Sequence, residues 1–290
     1  LLTFYLMYLV LEELKKGLSF RVCVLMVLNG VSAGAAMASK WTGVYACAGI
    51  AVMVLSFLYR EYGTTAVRVQ KRLSGRNSFY ELGQLFLICV TAYLIIPAVI
   101  YTASLLSWNE DGHLLRTMWD NQVRMLTYHE NTVFDHPYSS EWYDWIWMRR
   151  PLLDAYTGLG DGKISVVSTF GNPVIWWGGI PALFYNLYLW QVKRDGSSGY
   201  LCISYLAMLI PWFFIHRTVV IYQYFACSTI LILMLGNCCR FLKRPKGKML
   251  LFLAAAAAVF FLFYPVISGY PVKKAFSGRW LEWLGSWVLS

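Results

Sequence analysis

The chain has 290 residues, of which 58% are hydrophobic and 14% are charged. Soluble domains carry about 25% charged residues, so the composition excludes an ordinary soluble domain and predicts an integral membrane protein. The net charge of +10 could suit a nucleic-acid partner. However, the basic residues concentrate in short turns between apolar runs, which is typical of cytoplasmic membrane loops. We therefore predict no nucleic-acid partner.

Seven apolar runs are long enough to cross a bilayer, which takes roughly 17–25 residues. They occupy residues 20–38, 41–59, 82–106, 164–190, 200–216, 218–238 and 249–266. A further run, residues 1–11, is too short to span, and we expect it to be the end of a helix that begins upstream. The predicted fold class is an all-α polytopic helical bundle with one long exported loop.

The positive-inside rule orients the predicted bundle. Loops 60–81 and 240–248 each carry five basic residues and are predicted to be cytoplasmic. Alternation then places Lys40, loop 107–163 and the end of the chain on the exported side. The expected organisation is transmembrane helices in 1–106, a functional loop in 107–163, four transmembrane helices in 164–266 and an exported tail in 267–290.

Loop 107–163 is the most informative segment, because loops longer than about 15 residues are usually functional or disordered. Five tryptophans argue against disorder, which requires few aromatics. Apolar residues at helical spacing in 113–130 predict a helix, lying either in the membrane interface or on the surface of the protein. Residues 158–162, Gly-Leu-Gly-Asp-Gly, predict a turn.

Histidine and cysteine give no metal or disulfide pattern. All four histidines fall on the predicted exported side, and His129 and His136 lack the spacing of a zinc pair. We predict no metal site and expect these imidazoles to hydrogen bond to a polar ligand or to the loop. All seven cysteines lie in spans or at their ends, so no disulfide framework is indicated.

Two cations and one loop segment are the candidate binding residues. Lys40 and Arg217 each separate two apolar runs, and ionisable groups at such places either bind a ligand or reach lipid headgroups. An arginine fork suits the oxygens of a phosphorylated lipid. Residues 136–145 combine aromatic rings with hydroxyls and carboxylates, which suits a sugar. An aromatic belt at the interface would explain the rings but not the acids.

At these residues the chain resembles the protein O-mannosyltransferases of the C-type glycosyltransferase fold. The similarity covers nearly the whole chain, in family order. The segments that carry it are Ser39-Lys40-Trp41-Thr42-Gly43, His136-Pro137-Tyr138-Ser139-Ser140 followed by Trp145, Arg150 and Pro151, Gly171-Asn172-Pro173 with Trp176-Trp177, residues 217–225, and Phe263-Tyr264-Pro265 through Gly269, Pro271-Val272 and Trp283.

The resemblance implies transfer of mannose, or a related hexose, from a polyprenyl-phosphate carrier to Ser or Thr hydroxyls of exported proteins. It implies a multi-pass protein with its site on the exported side. We expect a bacterial plasma membrane, because the long loop lacks the extra domain of eukaryotic relatives. By resemblance, the lipid-phosphate and sugar residues are Lys40, His136, Tyr138, Arg217, Tyr222 and Gln223, and the platform for the acceptor is Glu141, Trp142 and Trp145.

The chain departs from the family pattern in two places. Gln223 stands where the family often has histidine. The family's catalytic Asp-Glu pair lies on a first exported loop that has no counterpart here, so the resemblance implies a base outside this chain and no activity for the chain alone.

Three questions stay open at this point. Another polyprenyl-phosphate-sugar-dependent glycosyltransferase of the same fold, or a non-catalytic membrane binding subunit, fits the same residues. A transporter is disfavoured, because residues 82–106 and 249–266 hold almost no polar groups. A divalent cation, Mg²⁺ or Mn²⁺, is an open question as cofactor, because no residues indicate one.

Overall fold

A computed structural model describes residues 1–62, 78–106, 112–131, 136–215, 217–242 and 245–290. The chain divides into two compact units, Leu1–Tyr128 with Leu206–Met208, and His129–Tyr205 with Leu209–Ser290. Most of the predicted cytoplasmic loop 60–81, together with parts of loop 107–163, lies outside the described residues. Each unit is described by itself.

The first unit is helical, and its tightest packing rests on glycine. A Cβ on Gly30 of helix α2 would lie 1.9 Å from the carbonyl oxygen of Ala92, and one on Gly34 would lie 2.9 Å from Pro97 Cα. Small residues let membrane helices approach this closely. The helices are α1 Leu2–Leu14, α2 Phe20–Ser39, α3 Gly43–Tyr62, α4 Ser78–Val90, a π-helical turn Thr91–Ile95, α5 Ile96–Ser104 and α6 Leu114–Asn131, which extends to the start of the second unit.

The second unit combines helices with a small sheet. Its three strands are antiparallel in the order β1-β2-β3. The elements are α7 Trp142–Trp147, β1 Leu152–Gly160, β2 Lys163–Thr169, α8 Pro173–Gln191, α9 Gly196–Leu209, α10 Phe225–Cys238, α11 Pro245–Ser268, β3 Val272–Lys273 and α12 Lys274–Trp280, with 3-10 turns at Ile210–Phe214, Ile221–Tyr224 and Cys239–Phe241.

The predicted helical membrane bundle is confirmed. Six helical segments are long and apolar enough to cross a membrane: Phe20–Ser39, Gly43–Arg60, Leu82–Ser104, Gly196–Phe214, Ile221–Phe241 and Pro245–Ser268. They match six of the seven predicted spans. The seventh predicted span corresponds to α8, which has 19 residues. It is not among the six candidate spans, because its tryptophans, tyrosines and Asn186 lower its mean hydropathy.

The predicted span 164–190 begins too early. Residues Lys163–Thr169 form strand β2, in which Ile164, Val166 and Ser168 are buried at alternate positions, as the period of a strand requires. Helix α8 starts only at Pro173, after Asn172 accepts hydrogen bonds from the N–H groups of the first turn. The apolar run therefore contains a strand and a helix in succession.

The glycine-rich turn at 158–162 is confirmed, and it closes a β-hairpin. Gly158 pairs with Ile164 and Gly160 with Lys163. Gly160, Asp161 and Gly162 have φ values of 82°, 49° and 68°, a left-handed conformation that glycine and aspartate tolerate. The sequence predicted the turn without predicting the strands on either side of it.

The helix expected in 113–130 is confirmed as α6. Leu115, Trp119, Val123 and Leu126 are exposed along it, whereas Gln122 accepts a hydrogen bond from Tyr101 Oη at 2.8 Å. The apolar stripe therefore faces outward, as an interfacial helix requires.

Candidate functional site

Residues His136–Ser139 form a tight turn at the start of the described part of the loop in the second unit. The Ser139 N–H donates to the His136 carbonyl at 2.8 Å, and Pro137 sets the backbone φ that the second position of a β-turn requires. The Tyr138 N–H donates to His136 Nδ1 at 3.2 Å. A neutral His136 in this turn therefore carries its proton on Nε2.

Two hydrogen bonds dock this turn on the connection before helix α10. The Ser140 N–H donates to the Val219 carbonyl at 3.0 Å, and Ser139 Oγ donates to the same oxygen at 3.4 Å. Val219 is buried, and the half-buried Arg217 lies two residues before it. The fold thus brings the predicted loop segment to a backbone position two residues after the predicted arginine, although 80 residues separate Ser139 from Val219 in sequence.

The 3-10 turn Ile221–Tyr224 follows Val219 and Val220 in the chain. One of its side chains is exposed and the other three are buried. Tyr222 is 44% exposed, whereas Gln223 and Tyr224 are buried. The Tyr224 ring packs on Trp176 with centroids 4.9 Å apart, and its hydroxyl lies 2.6 Å from that of Tyr205. Of this turn, Tyr222 is the side chain most accessible to a ligand.

The three predicted platform residues differ in exposure. Trp145 is fully buried, donates from Nε1 to Ser140 O and Oγ at 3.0 Å, and packs edge-on against Trp212. This burial leaves its ring no face for a ligand, so we assign Trp145 to the core that supports the turn. Glu141 is exposed and Trp142 is half-buried, and both stay candidates for the platform.

The end of the chain closes over the loop after α7. Trp287 Nε1 donates to the Met148 carbonyl at 2.8 Å, and Ser286 Oγ donates to the Arg149 carbonyl. Met148 has φ of 55°, a left-handed conformation held by these contacts. Sequence reasoning missed this closure. The only signal for it is the spacing of Trp283 and Trp287, four residues apart, which lets both rings stack on one side of the segment.

Lys40 lies in the first unit, at the junction of α2 and α3. A Cβ on Gly43, the first residue of α3, would lie 2.5 Å from backbone atoms of α2, so the three-residue junction 40–42 needs glycine at its end. Trp41 Nε1 donates to Tyr101 Oη at 3.1 Å, and Tyr101 donates to Gln122. Lys40 is exposed at the end of α2, and its role in binding stays a prediction.

Metal-ligating residues do not cluster in the described part of the chain: no three His, Cys, Asp or Glu side chains lie together there. His113 is exposed. His216 and the side chain of His129 lie outside the described residues.

With this geometry established, comparison with known proteins identifies the family. The model of the C-terminal four-transmembrane region of protein O-mannosyltransferase matches residues 114–287. The chain belongs to this protein O-mannosyltransferase family. The match runs from α6 to Trp287 and therefore includes the docked turn, Arg217 and the closing tail.

Curated relatives are polyprenol-phosphate-mannose–protein mannosyltransferases. The protein of Mycobacterium tuberculosis is 26% identical over 312 residues, which cover 89% of this chain and 56% of the relative. That of Mycolicibacterium smegmatis is 26% identical over 310 residues, and that of Corynebacterium glutamicum is 23% identical over 312. The chain spans 56–57% of the length of the relatives it matches.

A solved structure shows the same fold. The solved structure is the S. cerevisiae protein O-mannosyltransferase Pmt1-Pmt2 complex bound to the sugar donor. The alignment covers 60% of this chain and 27% of the matched chain of that complex, with a TM-score of 0.50 and 21% identity. The likeness supports the helical membrane architecture of this family member.

Proposed function

We propose that this chain forms the lipid-phosphate-binding and sugar-binding part of a polyprenol-phosphate-mannose–protein mannosyltransferase. The observation that carries the proposal is the docking of the His136–Ser139 turn and Ser140 on Val219, two residues after Arg217. The names of the curated relatives supply the donor and the acceptor class. The substrates are then a polyprenyl-phosphate-linked mannose and an exported protein.

Arg217 is the group we assign to the lipid phosphate. Its planar fork can pair two phosphate oxygens, which an ammonium cannot do. Its half-buried position limits screening by water and so strengthens the pairing. During transfer the phosphate is the leaving group, and a fixed cation at this place stabilises the charge that develops on it.

The turn and the exposed phenol are assigned to the sugar. Tyr138 is half-buried and Tyr222 is 44% exposed, so each has ring surface that a sugar can contact. The turn fixes the His136 and Tyr138 rings 6.0 Å apart, edge to face. We assign His136 to the pocket wall. The general base is placed outside this chain, since the resemblance assigns it to a loop with no counterpart here.

Binding of polyprenyl phosphate to the purified protein in nanodiscs tests the proposal. Arg217→Ala removes a charge-assisted hydrogen bond worth about 1.5–3 kcal/mol, so the affinity should fall roughly 10- to 150-fold. Arg217→Lys should recover part of it, because the charge returns without the fork. Lys193→Ala, an exposed cation in another turn, is the matched control. Unchanged affinity for Arg217→Ala would mean that the arginine only reaches lipid headgroups.

We also propose that the docked turn faces the exported side. The distribution of basic residues supports this orientation. A membrane-impermeant maleimide should label Tyr156→Cys in β1 on intact cells, and should label Lys193→Cys only after the membrane is opened. The unsubstituted protein, whose cysteines lie in or beside helices, sets the background. The reverse labelling pattern would overturn the orientation and the exported site together.

A further inference from the structure

We propose that Lys163, Lys273 and Lys274 form a binding site for the headgroups of anionic phospholipids, at the membrane surface where α11 ends. These three residues are called the lysine cluster below. The cluster includes neither Arg217 nor the His136–Ser139 turn, so this proposal can be tested independently of the proposed donor site.

The sheet holds the lysines together. Lys163 of β2 pairs directly with Lys273 of β3, so their side chains leave the same face with Cβ atoms about 4.5–5.5 Å apart. The Lys274 N–H donates to the Gly162 carbonyl at 2.9 Å, which fixes the third lysine at the same end of β2. All three are exposed.

This arrangement is unfavourable without an anion. Like charges directly opposite each other on neighbouring strands destabilise a sheet. Within the described ranges, no ion pair joins any of the three lysines to a carboxylate. A ligand that carries negative charge would relieve the repulsion.

The cluster lies close to the membrane. Helix α11 is a candidate span that ends at Ser268, and the next residue is bound to β2: Gly269 N–H donates to the Val166 carbonyl at 3.1 Å, and its carbonyl accepts from Ser165 Oγ at 2.7 Å. A strand rises about 3.3 Å per residue, so the backbone of Lys163 lies about 10 Å or less from this exit. The lysine side chains therefore reach headgroup level.

Exposed aromatic side chains before and after Lys273 and Lys274 in sequence indicate a lipid surface as the partner. Tyr270 is 62% exposed, Trp280 57%, Trp283 41% and Phe276 38%. Tyrosine and tryptophan concentrate at membrane–water interfaces, and basic residues near them are attracted to anionic lipids. The Arg279 guanidinium lies 5.6 Å from the Trp280 ring centroid and adds a further cation to α12.

Site-specific photo-crosslinking tests the proposal. Phe276→p-benzoylphenylalanine is introduced into the full chain, which is reconstituted in equal parts phosphatidylglycerol and phosphatidylcholine. Mass spectrometry then identifies the crosslinked lipid. Each lysine near the surface favours the anionic lipid by about fivefold, so phosphatidylglycerol should exceed phosphatidylcholine at least about fivefold. The excess should shrink at about 1 M salt, where the Debye length falls to about 3 Å.

The triple substitution K163Q/K273Q/K274Q should bring the two lipids to about equal yield. K193Q/K246Q/K248Q makes the same change in charge at exposed lysines beyond this sheet and should leave the excess intact. Tyr270→p-benzoylphenylalanine provides a second crosslinking position if the first variant does not fold. Three results would each overturn the proposal. The first is equal yields of the two lipids when all three lysines are present, the second is an excess of phosphatidylglycerol that survives the triple substitution, and the third is crosslinking to protein alone.

Discussion

The two ends of helices α8–α11 are held by different chemistry. At the end that carries the loop, tryptophan N–H groups donate to backbone carbonyls: Trp145 to Ser140, Trp176 to Trp145 and Trp287 to Met148. An indole combines a large apolar body with one donor. It can therefore fill space beside irregular backbone and satisfy a carbonyl at the same time.

The opposite end is held by a polar side-chain network. Asn237 Nδ2 donates to Asn186 Oδ1 at 2.8 Å and to Ser198 Oγ at 2.9 Å, and its oxygen accepts from Arg240 at 2.9 Å. Ser198 Oγ donates to Asp195 Oδ2 at 2.7 Å. These bonds join α8, α9 and α10 directly. The comparison shows two ways of joining elements. Regular helices, whose backbone groups are already paired, are linked by bonds between side chains. An irregular loop has unpaired backbone carbonyls and needs side-chain donors to satisfy them.

The largest expected effect is at the loop end. Trp145→Ala should lower the free energy of unfolding by about 3–5 kcal/mol, because the ring is fully buried. Trp145→Phe keeps most of the packing and loses the donor, so it should cost about 1–3 kcal/mol. Detergent-titrated unfolding of the purified protein measures both. Tyr143→Ala, an exposed neighbour, should change stability by less than about 0.5 kcal/mol; equal costs for Tyr143→Ala and Trp145→Ala would contradict the comparison.

A smaller effect is expected in the polar network. Asn237→Ala removes three hydrogen bonds, and side-chain hydrogen bonds in membrane proteins average about 0.6 kcal/mol each, so the loss should be about 2 kcal/mol. Thr229→Ala is the matched control, since its exposed hydroxyl bonds only within α10. The same unfolding assay applies. A loss no larger than that of the control would show that the network does not join the helices energetically.

The smallest effect concerns pH and Asp195. Burial raises the pKa of its carboxyl, but hydrogen bonds from Ser198 and the charge of Arg240 outweigh this, and the pKa lies below its ordinary value. A depressed folded-state pKa contributes stability above the unfolded pKa of about 3.9, and this stability is lost as pH falls through the folded value. Asp195→Asn should therefore be less stable than wild type at pH 7, with the difference narrowing below about pH 4. A difference in melting temperature that is independent of pH would refute the linkage.

Several elements of this protein follow from local sequence. The spans in 20–38, 218–238 and 249–266 are long, predominantly apolar runs, and their length relative to the bilayer thickness identifies them. The turn at 158–162 and helix α6 follow from glycine content and from helical spacing. Strand β2 was not predicted, because its buried positions join the apolar start of α8 into one run and a short strand has too few residues for its period to stand out.

Some features of the candidate site could likewise be predicted from the sequence, and others could not. The sequence by itself determined a helical membrane protein, an aromatic loop that contains residues 136–145, and an arginine between two spans. Only the tertiary structure decided that the turn docks on Val219 beside Arg217, that Trp145 is core, and that Lys163 lies opposite Lys273. The physical reason is sequence separation. Periodicity and turn chemistry act over a few residues, whereas these contacts join segments about 30 to 110 residues apart. They also depend on which backbone groups remain to be satisfied after the helices have formed.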